Sequence, residues 1–183
     1  MPLDPNRWTQ KTQEAIGRAV ARRAAGFGMP VLYHAGHRLA PDAEAALGVA
    51  WRELDDLLAE ADFVTVHTGL SPATRHLIGA GQLARMKPTA VLVNTARGPI
   101  VDEAALAAAL RAGELGAAGL DVFEREPEVH PGLLELDNVV VVPHLGTATL
   151  ATRVEMGMTA AANLLAALEG RRPPNLLNPE ALG

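Results

Sequence analysis

Three short apolar runs, TAVLVNT (89–95), AGLDV (118–122) and NVVVV (138–142), are each followed within a few residues by a polar side chain suited to chemistry: Arg97, Glu126 and His144. Runs of this length and composition read as strands covered on both faces of a parallel sheet. Ligands of open α/β sheets bind beyond the carboxyl ends of the strands. A guanidinium, a carboxylate and an imidazole delivered there from distant points in the chain can therefore converge on one small molecule, which is the arrangement of an enzyme.

Helical and extended patterns alternate through the rest of the chain. Residues 14–26 carry Ile16, Ala19, Val20 and Ala24 at helical spacing and run into Gly26 and Gly28, which read as a C-terminal cap. MPVLYH (29–34) is the next expected strand, PDAEAALG a short helix, LDDLLAEA (54–61) a second helix and DFVTVHT (62–68) another strand. SPATRHLIG predicts a helix opening at Ser71 with Pro72 in its first turn, and QLARMKP closes that unit on a proline. DEAALAAALRAGEL predicts a helix capped by Asp102 or its neighbour, residues 148–170 a long final helix, and the proline-rich 171–183 a surface arm. Alternation of this kind implies an α/β fold, a parallel sheet wound by right-handed crossovers with helices on both faces.

Composition narrows the function classes. With 183 residues and 49% hydrophobic content, the chain is expected to form one globular domain, with its core over 13–147. It has no run of apolar residues long enough to span a bilayer, and its amino terminus lacks a signal-peptide pattern, so a cytoplasmic protein without a membrane partner is expected. A net charge of -5 argues against a nucleic-acid surface. The absence of cysteine removes thiol nucleophiles and zinc thiolates, and no HExxH or comparable ligand spacing suggests a metal.

NTARGPIVDEAAL, GLDVFEREP and VVPHLGTAT, with IGRAVARRAAGFGM before them, resemble the nucleotide-binding domain of the D-isomer-specific 2-hydroxyacid dehydrogenases, nearest the glyoxylate/hydroxypyruvate reductase branch. The resemblance runs from about Ile16 to Pro179 and implies a Rossmann-like fold. It also implies hydride transfer between NAD(P)H and a small 2-oxo acid such as glyoxylate or hydroxypyruvate. It makes Arg97 the clamp for the substrate carboxylate, a role suited to a planar fork that donates two parallel hydrogen bonds. His144 becomes the acid that protonates the carbonyl oxygen, and Glu126 the carboxylate that keeps this histidine oriented and charged. Glu124 is the rival carboxylate in that loop, but Glu126, immediately before Pro127, matches the motif. By the same resemblance Asp121 receives the nicotinamide carboxamide, while Gly17, His67, Thr95, Ala96 and Gly146 border the cofactor. A homodimer is the implied assembly.

The match has departures. Lys11 and Thr12 resemble residues that precede the first Rossmann strand, and Ile16 and Gly17 the end of a GxGxxG turn, yet only Gln13, Glu14 and Ala15 lie between. The first strand and two glycines are thus expected to be missing, as is the substrate domain that leads the family's chains. HAGHRLAP offers no acid before Asp42, while His37 and Arg38 could face a 2′-phosphate, a lean toward NADP over NAD. Weak cofactor binding and little turnover by this chain alone follow. The alternative function is a non-catalytic remnant that serves self-association.

Overall fold

The computed structural model describes residues 5–179, with side chains from residue 14 onward. They fall into two compact units, divided between Pro143 and His144.

Among the described residues, the larger unit carries every strand. In chain order it contains α1 (Pro5–Gly26), β1 (Val31–Tyr33), α2 (Pro41–Leu47), β2 (Val49–Trp51), α3 (Leu54–Glu60), β3 (Phe63–Val66), α4 (Ala80–Leu83) and β4 (Val91–Asn94). A 3-10 turn (Gly98–Ile100) leads into α5 (Glu103–Ala112), followed by β5 (Ala117–Leu120), α6 (Pro131–Leu134) and β6 (Val139–Val141). All strand pairs are parallel, as the alternation of elements predicts, and they form two sheets: β1-β2, and β3-β4-β5-β6. The fold is Rossmann-like, and its sheet is interrupted. A doubly wound sheet places its first strand centrally. Here the described residues form no strand before β1, and α1 runs unbroken through the segment where the glycine turn would stand.

The core forms where alternate strand residues meet helices. Val64 and Val66 of β3, Leu92 of β4, and Ala118 and Leu120 of β5 pack with Leu58 of α3, Leu83 of α4, Leu106 and Leu110 of α5, and Leu133 of α6. Burial alternates along β3, β4 and β5, and Val140 of β6 is 67% exposed. The expectation of strands buried on both faces is therefore corrected: one face of this sheet is sealed and the other is only half covered. Continuous apolar composition alone does not separate the two cases.

Three local readings also change. The helix expected from Ser71 is instead a turn, with α4 confined to four residues. Tertiary pairing overrides the local signal there: the His76 amide donates to Pro99 O at 2.8 Å and that of Ile78 to Ile100 O at 3.1 Å, drawing the segment out straight. Thr74 Oγ1 closes the turn by donating to Gly69 O at 2.7 Å and accepting from the Ser71 amide at 2.8 Å. Strand β2 and helix α6, three and four residues long, went unanticipated. Asp102 does cap α5, accepting from the Ala105 amide at 3.0 Å, and Gly113 ends that helix with φ 71.

The smaller unit is built on α7 (Leu150–Leu168), capped by Thr149, whose hydroxyl accepts from the Thr152 amide at 3.2 Å. Asn163 fastens the tail to this helix through a reciprocal pair with Asn175, at 3.1 and 2.9 Å. Seven large apolar residues of α7 (Leu150, Val154, Met156, Met158, Leu164, Leu165 and Leu168) stand exposed. No helix among the described residues is long and apolar enough to cross a membrane.

Candidate active site

Strands β4, β5 and β6 lie side by side and point the same way, so the segments leaving their carboxyl ends emerge at one edge of the sheet. Arg97 comes three residues after β4 and Glu126 six residues after β5. His144 comes three residues after β6 and is the first residue of the smaller unit.

Asn94 shapes the turn that carries Arg97. It is almost completely buried; its Oδ1 accepts from the Ala96 amide at 3.1 Å and its Nδ2 donates to Arg97 O at 3.0 Å. Ala96 is sealed inside while Thr95 and Arg97 face outward. Arg97 Nη1 donates to Ala96 O at 2.6 Å, which occupies one of the five guanidinium donors.

The loop after β5 is mated to this turn. A Cβ added at Gly98 would stand 1.9 Å from Phe123 C and 2.0 Å from Phe123 O, so the two backbones touch. Asp121 is buried at the strand end, where its amide donates to Asn94 O at 3.0 Å. Glu126 is exposed, and its Oε1 accepts from the Phe123 amide at 3.1 Å. The rival, Glu124, is committed elsewhere: its Oε1 accepts from the Glu103 amide at 3.1 Å and its Oε2 lies 3.1 Å from His76 Nε2. His76 and His130 both hold structure, His76 beside Glu124 and His130 by accepting from the Gly132 amide at 3.2 Å. Sequence reasoning passed over Glu103 because the first residue of an amphipathic helix ordinarily faces water.

His144 and Gly146 are exposed. His144 has φ 52, a left-handed conformation uncommon for a residue with a Cβ and concentrated at functional sites and turns.

The cofactor-side candidates divide. Gly17 lies in the interior of α1, and a Cβ there would meet His67 Cβ at 3.3 Å, so this glycine lets the helix close on the end of β3. His67 is half-buried, with Nε2 3.0 Å from Thr65 Oγ1 and a buried Nδ1 that has no partner among the described residues. Burial pushes its pKa down. The charged ring is disfavoured in the fold, so stability from this residue is complete above the unfolded value, about 6.5, and is lost as pH falls toward the lower folded value. The urea midpoint should therefore decline below about pH 6.5, and His67→Leu should flatten that decline.

The residues that would hold a dinucleotide's pyrophosphate do not fit that group. Such a site needs a glycine turn opening a helix whose free amides face the phosphates. The amides around Gly17 belong to a continuous helix instead. Arg38, one of the two residues behind the lean to NADP, is also engaged: Glu44 accepts from its Nε and Nη2 at 2.8 and 3.0 Å, and the guanidinium lies over Trp51. Arg38 first, and the Tyr33 hydroxyl second, hold the Glu44 carboxyl down at about 2. A 2′-phosphate would have to displace a carboxylate already paired with Arg38.

Residues 14–146 match the D-isomer specific 2-hydroxyacid dehydrogenase family, NAD binding domain. The chain belongs to this family. Glyoxylate/hydroxypyruvate reductase B of Salmonella newport (strain SL254) is 54% identical over 170 residues, which is 92% of this chain and 52% of that protein. A glyoxylate reductase from Paecilomyes thermophila superposes with a TM-score of 0.75 at 45% identity, covering 84% of this chain and 46% of its own. The NADPH-dependent glyoxylate/hydroxypyruvate reductase of Sinorhizobium meliloti gives 0.76 at 36% identity, covering 86% and 48%. The chain thus spans about half the length of the relatives it matches.

Proposed function

We propose that this chain is the nucleotide-side half of an NAD(P)H-linked reductase for small 2-oxo acids such as glyoxylate or hydroxypyruvate. One observation carries the reading: Arg97, Glu126 and His144 follow the carboxyl ends of three adjacent parallel strands. Arg97 holds the substrate carboxylate with its outward fork. His144 gives a proton to the carbonyl oxygen during reduction, and Glu126 holds the imidazole that gives it. Thr95, Ala96, Asp121 and Gly146 form the nicotinamide side of the site in this reading, with His67 toward the ribose and Gly17 packed against it. Nothing about Arg38 favours NADP over NAD.

Because the described residues form no pyrophosphate seat, turnover by this chain is low in this reading, and the carboxylate clamp is best tested without cofactor. Titration with glyoxylate, followed by NMR of the arginine side chains, should shift the Arg97 resonances. Arg97→Ala should weaken the titration roughly 30-fold, or about 2 kcal/mol, the worth of hydrogen bonds to a charged group. Equal affinity in wild type and variant would discard Arg97 as the clamp.

Self-association belongs to the same reading, since exposed apolar patches of this kind mark interaction surfaces. Light scattering at micromolar concentration should give the mass of a dimer, and Leu164→Glu with Leu168→Glu should return a monomer. A wild-type monomer would remove the dimer from the proposal.

A further inference from the structure

We propose that Glu103 and Glu124 are positioning residues: a reciprocal clasp, each carboxylate bound to the other residue's amide, that sets where Glu126 stands. The inference rests on the proposed role of Glu126 and adds two residues that act through it.

Glu103 opens α5 and is 6% exposed. Its Oε1 accepts from the Glu124 amide at 2.5 Å and its Oε2 from the His130 amide at 3.2 Å, so one buried carboxylate holds both ends of the loop that contains Glu126. In return Glu124 Oε1 accepts from the Glu103 amide at 3.1 Å. That amide is one of the donors a helix leaves unpaired at its start, where a carboxylate is also favoured by the helix dipole. The outer oxygen of Glu124 faces His76 Nε2 at 3.1 Å and Arg75 Nη2 at 3.7 Å, which anchors the clasp to the segment paired with the turn at Gly98–Ile100. The neighbouring Phe123 amide donates to Glu126 itself at 3.1 Å. Two successive backbone amides are therefore engaged, that of Glu124 by the first residue of α5 and that of Phe123 by the Glu126 carboxylate, with only the covalent 123–124 peptide between them. The Gly98 contact holds the Arg97 turn against the same two residues, 123 and 124. The carboxylates of Glu103 and Glu124 are consumed in aiming a third.

The test follows amide exchange and the ring resonances of His144 at fixed pH in the full chain. Glu124→Ala should raise exchange at Phe123, Glu124 and His130 about tenfold or more relative to Leu92 and Val93 of β4, the loss of a charge-assisted bond showing as local opening. It should also move the His144 resonances as Glu126→Gln does. Glu124→Gln keeps an acceptor for the Glu103 amide and should restore both readouts, a rescue that loss of general stability would not give. If Glu124→Ala does not fold, Glu103→Gln serves, since it retains volume and one acceptor; exchange should then rise at only one of the two amides, Glu124 or His130. A uniform rise across β4 and the loop, or no rise, overturns the clasp. If the loop opens and Glu126→Gln moves His144 while Glu124→Ala does not, the clasp exists without a positioning role, and the proposal fails. If Glu126→Gln itself leaves His144 unmoved, the pairing proposed under the function fails, and with it the positioning role; selective loop exchange then reports a purely structural clasp.

Discussion

Gly98→Ala should destabilise the larger unit by about 3 kcal/mol or more, at the upper end of what overpacking produces. The added methyl would sit 1.9 Å from Phe123 C and 2.5 Å from the Glu124 amide nitrogen, atoms of a backbone already fixed by Glu103. No rotamer change can relieve such a contact, so either the turn at 98–100 or the loop at 121–126 must move. Each movement breaks something in hand. Shifting the turn loses the pairing of Pro99 and Ile100 with His76 and Ile78, and shifting the loop pulls Glu124 from α5. Gly113→Ala is the control, because Gly113 has φ 71 and open space around its Cβ. It should cost about 1 kcal/mol, through backbone conformation alone. Urea midpoints that ranked the two variants in the reverse order would show that the loops separate easily, and the reading of the site as two mated turns would be wrong.

That mating marks the limit of what the sequence discloses. Strands β3 to β6 were legible because their apolar runs are short and bounded by turn residues, and the α5 cap was legible because Asp102 precedes an alanine-rich helical run. The two glutamates of the clasp were not. Glu103 looks like an exposed helix-opening residue, and Glu124, twenty-one positions away, looks like a spare carboxylate; only the fold places each against the other's amide. The pairing of Arg38 was hidden for the same reason, since its partner Glu44 comes from the following helix and a residue's charge says nothing of whether it is already paired. The failed helix at Ser71 is the complementary case, in which a good local start signal loses to two backbone bonds with residues 99 and 100. Short elements such as β2 escape notice because three residues carry no period.

Inserting an apolar strand and a GxGxxG turn between Thr12 and Ile16 should raise affinity for NADH or NADPH at least about a hundredfold, or roughly 3 kcal/mol. In the chain as it stands, α1 is continuous across this point, and the amides that would cradle a pyrophosphate are engaged within the helix. A turn placed there would start a new helix just before Gly17, and its first amides and dipole would face the phosphates. The same insertion supplies a strand for a sheet that is now divided into β1-β2 and β3-β4-β5-β6. Gly17, which already accommodates His67, would then take the last glycine position of the turn, the one used for close helix packing. Calorimetric titration of the two proteins with each dinucleotide measures the difference. Micromolar binding by the uninserted chain would show that the pyrophosphate seat is dispensable here. Glyoxylate reduction that appears with the insertion and disappears again in His144→Ala would tie the regained affinity to the acid beyond β6, whereas regained binding with turnover indifferent to that substitution would leave the fold restored and the proposed chemistry refuted.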